Sequence, residues 1–189
     1  MNPNLQLLPT IQTFFLWNSP TYEVYATLSE HTDRVWNIIL LGSDRLASGS
    51  SDNKIKIWNL KSQKCERTLL GHNGYVCALM EFPCNLLISG SQDNRMKVWN
   101  TVNGGCVSTI KAEGQGKIMC LAWVSHSLLA VGSNSNINVY DFAKGKVEYS
   151  LEGHTALVRD LLLMDCLDVP LKPLMIITSF LGLLSLDVS

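Results

Sequence analysis

HTDRVWNIILLGSDRLASGSSDNKIKIW, residues 31–58, is followed at residues 72–99 by HNGYVCALMEFPCNLLISGSQDNRMKVW. The two stretches align without a gap. His31 and His72 are 41 residues apart, as are Trp58 and Trp99, and as are Cys65 and Cys106 just beyond them. Leu46-Ala47-Ser48-Gly49-Ser50 matches Leu87-Ile88-Ser89-Gly90-Ser91, and Asp52-Asn53 matches Asp93-Asn94. Self-similarity at a fixed period of this size marks a repeat architecture, in which each copy is one supersecondary unit stacked on the next.

Further copies flank this pair. Leu128 to Ser133 matches the Ser-Gly-Ser stretch, and Tyr140-Asp141 stands 41 residues after Trp99-Asn100, but Glu113 to Gly116 replaces the opening histidine. A fourth copy opens with Gly153-His154-Thr155, carries an insertion over Asp165 to Pro173 and ends with Leu183 to Asp187. Phe14 to Asn18 reads as the end of an earlier unit. Within the first copy, Val35–Leu40, Arg45–Ser50, Lys54–Asn59 and Cys65–Leu70 are apolar or alternating runs separated by turn residues, so each is expected to be a strand. Helical spacing is absent over any convincing window. Four short antiparallel strands per period of about 40 residues predict an all-β chain of propeller blades.

Composition agrees with a packed domain. The 189 residues are 47% hydrophobic and 16% charged, with 15 Lys+Arg against 16 Asp+Glu. A disordered chain is charge-rich and apolar-poor, and binding along a nucleic-acid backbone needs a basic excess that is missing here. The uncharged run from Pro173 to Leu186 is broken by Thr178, Ser179, Gly182 and Ser185 and falls short of a bilayer span. Met1 to Ile11 has neither the cationic flank nor the apolar stretch of a signal peptide. Six cysteines occur, none in a CxxC pair, and most lie in apolar runs, where they read as small buried hydrophobes in a reducing, cytoplasmic or nuclear setting. No histidine or cysteine pair has zinc-ligand spacing, so no metal and no cofactor is expected.

Gly71-His72, Gly153-His154, the Ser-Gly-Ser strands, Asp52 and Asp93, and the terminal dipeptides Trp58-Asn59, Trp99-Asn100 and Tyr140-Asp141 together resemble the Trp-Asp (WD) repeat family. The resemblance covers roughly residues 14–189. It departs from the family pattern where Asn replaces Asp in two terminal dipeptides and where the third and fourth copies lose markers. It implies a β-propeller with about four blades present and an incomplete ring, since rings of this family usually hold seven. By its register, residues 1–13 are an N-terminal extension and 14–28 the outer part of a preceding blade, with Tyr22–Leu28 as its outer strand. Blades then follow at 29–70 and 71–111, a degenerate blade at 112–152 and a degenerate, truncated blade at 153–189. A fragment, completion of the ring by another chain, and diverged missing blades are the three explanations open at this point; the stop at Leu186 to Ser189 favours a truncated product.

His31, Ser48, Asp52 and Trp58 contain the residue types of a nucleophilic triad. The same set recurs as His72, Ser89, Asp93 and Trp99. An active site is built once per domain, whereas a structural device is built once per repeat. The resemblance implies a hydrogen-bond chain from the turn carboxylate through histidine and hydroxyl to the indole, with Ser50 and Ser91 as alternative hydroxyls on the same strand face. No catalytic residue is expected. Lys144-Gly145-Lys146 is a turn lacking the phosphate-loop pattern, His126 is a solvated turn residue, and Phe82 and Trp123 belong to the core.

The family mostly serves as an interaction platform, and its contact positions carry over to Arg34, Trp36 and Ser51 in the first copy and to Tyr75, Cys77 and Gln92 in the second. In the fourth they are Leu157, Arg159 and Phe180. Trp, Tyr and Arg are the types enriched at binding hot spots. Arg34 with Arg159 suits an acidic or phosphorylated peptide. The alternative for Trp36 is packing between blades. The sequence thus points to a non-catalytic scaffold or adaptor for protein or peptide partners, with the recognition arm of a ubiquitin ligase or another assembly as a narrower version and a propeller enzyme as the competing class.

Overall fold

A computed structural model of the chain describes residues 12–18, 21–113, 116–164 and 174–178. Sixteen strands and no helix occur among them. A two-stranded sheet, β1 (Phe14–Asn18) and β2 (Glu23–Leu28), comes first. Three four-stranded sheets follow. These are β3 (Val35–Leu41), β4 (Arg45–Ser50), β5 (Ile55–Asn59) and β6 (Lys64–Leu69); β7 (Val76–Phe82), β8 (Leu86–Ser91), β9 (Arg95–Asn100) and β10 (Cys106–Lys111); and β11 (Ile118–Trp123), β12 (Leu128–Ser133), β13 (Asn136–Asp141) and β14 (Lys146–Leu151). The last pair is β15 (Asp160–Met164) and β16 (Leu174–Thr178). In every sheet the strands pair antiparallel in chain order. These are propeller blades, and the described strands do not close into a ring.

The first strands β3, β7, β11 and β15 lie side by side along the inner arc. Apolar side chains from consecutive blades interlock across each junction. Ile55, Ile57 and Leu69 of one blade share a cluster with Val76, Leu79, Leu87 and Trp99 of the next. Ile88, Met96 and Val98 then join Ile118, Leu129, Val131 and Tyr140. Phe82 and Trp123, expected in the core, are half-buried and stack with Phe142 at centroid distances of 5.4 Å on the rim of that second cluster.

The middle residue of the Ser-Gly-Ser strand has a packing role that the repeat alone does not reveal. A Cβ built on Gly49 would lie 2.8 Å from Val76 Cγ1 and 2.9 Å from the Val76 carbonyl oxygen. One on Gly90 would overlap the Ile118 side chain, and one on Gly132 the Cys120 sulfur. Gly49 and Gly90 are thus the points where the next blade's inner strand comes closest, whereas Gly132 is pressed first by β11 of its own blade and then by Val158 of the next unit at 3.0 Å. Gly49→Ala is expected to lower stability by about 1–3 kcal/mol, because the clash includes a backbone atom that no rotamer change relieves. A urea midpoint equal to wild type would show that the blades separate without cost.

The cysteines differ from the expectation of general burial. Cys77 and Cys120 are buried, Cys65 is half-buried, and Cys84 and Cys106 are exposed. The reason is topological: Cys106 starts an outermost strand and Cys84 sits in the β7–β8 turn with φ of 64°. All five are free thiols, and Cys166 lies outside the described residues. His126 is exposed on the β11–β12 turn.

Candidate functional site

Two polar chains run from turn to core, one per blade. Trp58 Nε1 donates to Ser48 Oγ at 2.8 Å, Ser48 Oγ donates to His31 Nε2 at 2.7 Å, and His31 Nδ1 donates to Asp52 Oδ2 at 2.9 Å. Trp99, Ser89, His72 and Asp93 repeat this at 2.8, 2.7 and 2.8 Å. The two ends are fixed by chemistry, since an indole only donates and a carboxylate only accepts. Burial favours the neutral imidazole, which keeps its proton on Nδ1 and accepts from the hydroxyl at Nε2. Burial holds both histidines below their ordinary value, against the opposing pull of the aspartates. Burial alone would raise Asp52, but bonds from His31 and from the Thr32 and Lys54 amides outweigh it and hold the carboxyl low. Asp93 is held low in the same way by Asn73 and His72.

Asp, His and Ser stand here in the order of a nucleophilic triad. Ser48 and Ser89 are nevertheless fully buried, and each hydroxyl already accepts an indole N–H. A nucleophile in that position cannot meet a substrate. Ser50 and Ser91, the alternative hydroxyls, do a different job. They donate to the carbonyls of Asp33 and Gly74 at 3.0 and 2.9 Å and accept from the amides of Asp52 and Asp93 at 3.1 Å, which pins the turn. In the third blade the buried Tyr140 substitutes for the indole, and its hydroxyl accepts the Glu113 amide at 2.7 Å. Sequence reasoning placed Tyr140 in register but gave it no partner, because the donor is a backbone group.

A second constellation forms where the inner strands begin. The pairing register of each first strand slips there: between Val35 and Asn37, between Val76 and Ala78, and between Ile118 and Cys120. The bulged residues are Trp36, Cys77 and Met119. A bulge leaves one residue out of the ladder and re-aims its side chain. All three residues line one open cavity of about 280 Å³, which Arg159 and Asp160 line as well. Trp36 Nε1 donates to Ser51 Oγ at 2.7 Å, and the exposed Arg34 guanidinium lies 5.2 Å over the Trp36 ring. Gln92 Nε2 donates to Cys77 Sγ at 3.6 Å. Tyr75 is exposed beside it, and Leu157 is half-buried one blade away from Met119. Trp36, Cys77 and Arg159 thus converge, Arg34, Ser51 and Gln92 brace them, Tyr75 and Leu157 do not line the cavity, and Phe180 lies outside the described residues. Met119 was not anticipated, since a strict 41-residue step from Cys77 lands on the buried Ile118.

The cavity is not equipped for bond-making. Burial pushes the Cys77 thiol up, against Lys117 and Arg159, and carries Cys120 to about 12, so neither is a thiolate nucleophile at neutral pH. Among the described residues no cluster of His, Cys, Asp and Glu could hold a metal ion. Asp160 Oδ1 already accepts the Leu161 amide at 2.9 Å.

Three consecutive stretches, 22–59, 63–100 and 104–141, match the WD40 family, described as WD domain, G-beta repeat. With its blades and repeated polar chains, the protein belongs to this family. Among curated proteins none matches the chain. WD40 repeats generally mediate protein–protein interaction, and such domains are typically non-catalytic.

Proposed function

We propose that this chain is a non-catalytic scaffold that receives an acidic or phosphorylated segment of a partner protein at the inner-strand cavity. The observation that carries the reading is the convergence of bulged Trp36, Cys77 and Met119 on Arg159. An aromatic anchor beside an accessible guanidinium is the composition of a binding hot spot. Arg34 and Lys117 add positive charge around the same opening, while Asp160 is engaged by its own backbone. Arginine forks match carboxylate and phosphate geometry.

The test is binding of fluorescent peptides that differ only in acidic or phosphorylated residues. Arg159→Glu changes an exposed side chain, so its melt should match wild type while affinity for the acidic set falls about tenfold or more, with steep salt dependence in the parent. Trp36→Ala separates anchoring from blade packing: loss of binding with an unchanged melt supports the anchor. Equal affinity of neutral and acidic peptides, or of Arg159→Glu and wild type, overturns the reading.

A further inference from the structure

The two incomplete sheets are complementary halves of one blade. β1 and β2 pair Phe14 with Leu28, Phe15 with Thr27, Leu16 with Ala26 and Trp17 with Val24. β5 and β6 pair Ile55 with Leu69, Lys56 with Thr68, Ile57 with Arg67 and Trp58 with Cys65, the same register displaced by 41 with the same slip before the tryptophan. β1–β2 is therefore a third and fourth strand. β15 packs beside β11 as β11 packs beside β7, so β15–β16 is a first and second strand. In every complete blade the second strand pairs antiparallel with the third. β16 and β1 are that pair, yet they stand in separate sheets, and among the described residues neither has a strand on its other edge.

Burial points the same way. Ile55, Met96 and Ile137 at the start of the third strand are fully buried, and the next position is 7% exposed at Lys56 and half-buried at Lys97 and Asn138. In β1 the matching Phe14 is only half-buried and Phe15 is 53% exposed. On β15, Leu162 is 59% exposed, whereas its counterparts Ile39 and Met80 are half-buried and Ala122 is buried. Unpaired edges with apolar side chains beside them are templates for another strand.

We infer that a second copy of this chain completes the ring, with β15–β16 of each copy joined to β1–β2 of the other as a composite four-stranded blade. Among the described residues each copy supplies three complete blades and two halves, so the described strands of two copies add up to eight blades, the upper end of the usual propeller range of about four to eight. A second copy satisfies both edges of both chains with one kind of contact, and the assembly closes with two-fold symmetry. The inference is independent of the peptide cavity, because the composite blades lie at the ends of the arc.

The test is the solution mass of the full chain by light scattering or native mass spectrometry over a range of concentrations. A species of twice the 21.0 kDa chain mass is expected. Phe15→Glu replaces an apolar edge side chain by a carboxylate at a position that is buried in the first blade and half-buried in the second and third, so it should weaken association about tenfold or more while leaving the monomer folded, since Phe15 is exposed there. Protection of β1 amides against hydrogen exchange should rise with protein concentration. A monomer at every concentration, a dimer indifferent to Phe15→Glu, an open-ended ladder of masses, or β1 amides protected in a monomer, where another segment of the same chain would cover the edge, each overturns the inference.

Discussion

Trp99→Ala is expected to leave much of the chain unfolded in mild urea where wild type is native. The indole is 1% exposed and packs in the cluster that joins the first and second blades. Its N–H holds Ser89, its ring meets His72 edge-on at 5.9 Å, and the Lys97 ammonium lies 5.8 Å above it. Removing a buried tryptophan costs about 3–5 kcal/mol, against a total stability for a domain of about 5–15 kcal/mol. The loss does not stay local, because each blade contacts only its neighbours and the second lies between the first and the third. With a urea slope of about 1–3 kcal/mol/M, the midpoint should fall by at least about 1 M, read by circular dichroism. Trp99→Phe keeps most of the volume and removes the donor, so it should fall between wild type and Ala. A Trp99→Ala midpoint within error of wild type would mean that the indole is not the centre of the blade.

The repeat made the blades legible because strand identity depends on local pattern, and a gap-free 41-residue match transfers that pattern between copies. The order of the polar chain was legible for the same reason, as each member is a residue type at fixed spacing. What escaped depends on contacts between copies or on the backbone. The need for glycine at position 49 appears only when Val76 arrives from the next blade. Cys84 and Cys106, beside Pro83 and Gly105, sit on turn and rim in space, apart from the cysteines of the apolar runs. Met119 replaces the position that counting would choose because the bulge in β11 lies one residue later than those in β3 and β7. A slip of one residue exchanges faces of a strand, and no residue type in the Ile118-Met119-Cys120 run announces it. Choosing Ser48 over Ser50 likewise required geometry, since both point to the same face and only distance assigns one to the indole and the other to the turn.

Acid is expected to act on both polar chains at once. His31 and His72 are held below the ordinary histidine value of 6.5, first by burial. An imidazole that resists protonation when folded and accepts it freely when unfolded contributes stability that is complete above about pH 6.5 and lost as pH falls through the lower folded value. Asp52 and Asp93 follow the same sign in a lower window, beginning near the ordinary aspartate value of 3.8, because their bonds outweigh the burial that opposes them. The structural consequence is specific. A proton on His72 Nε2 turns an acceptor into a donor facing Ser89, whose hydroxyl proton must then turn away while the oxygen still accepts the Trp99 indole. Two blades lose the same bond over one pH interval, so the melting temperature should hold steady from pH 8 to about 6.5 and then decline in two stages. His72→Gln removes one titrating group and should shallow the first stage while lowering stability at neutral pH, where an orphaned buried partner costs about 1–3 kcal/mol. A melting temperature that rises between pH 6.5 and 5 would place charged imidazoles in the native blades and reverse the Ser–His bond of each chain, with the indole and Nδ1 still donating.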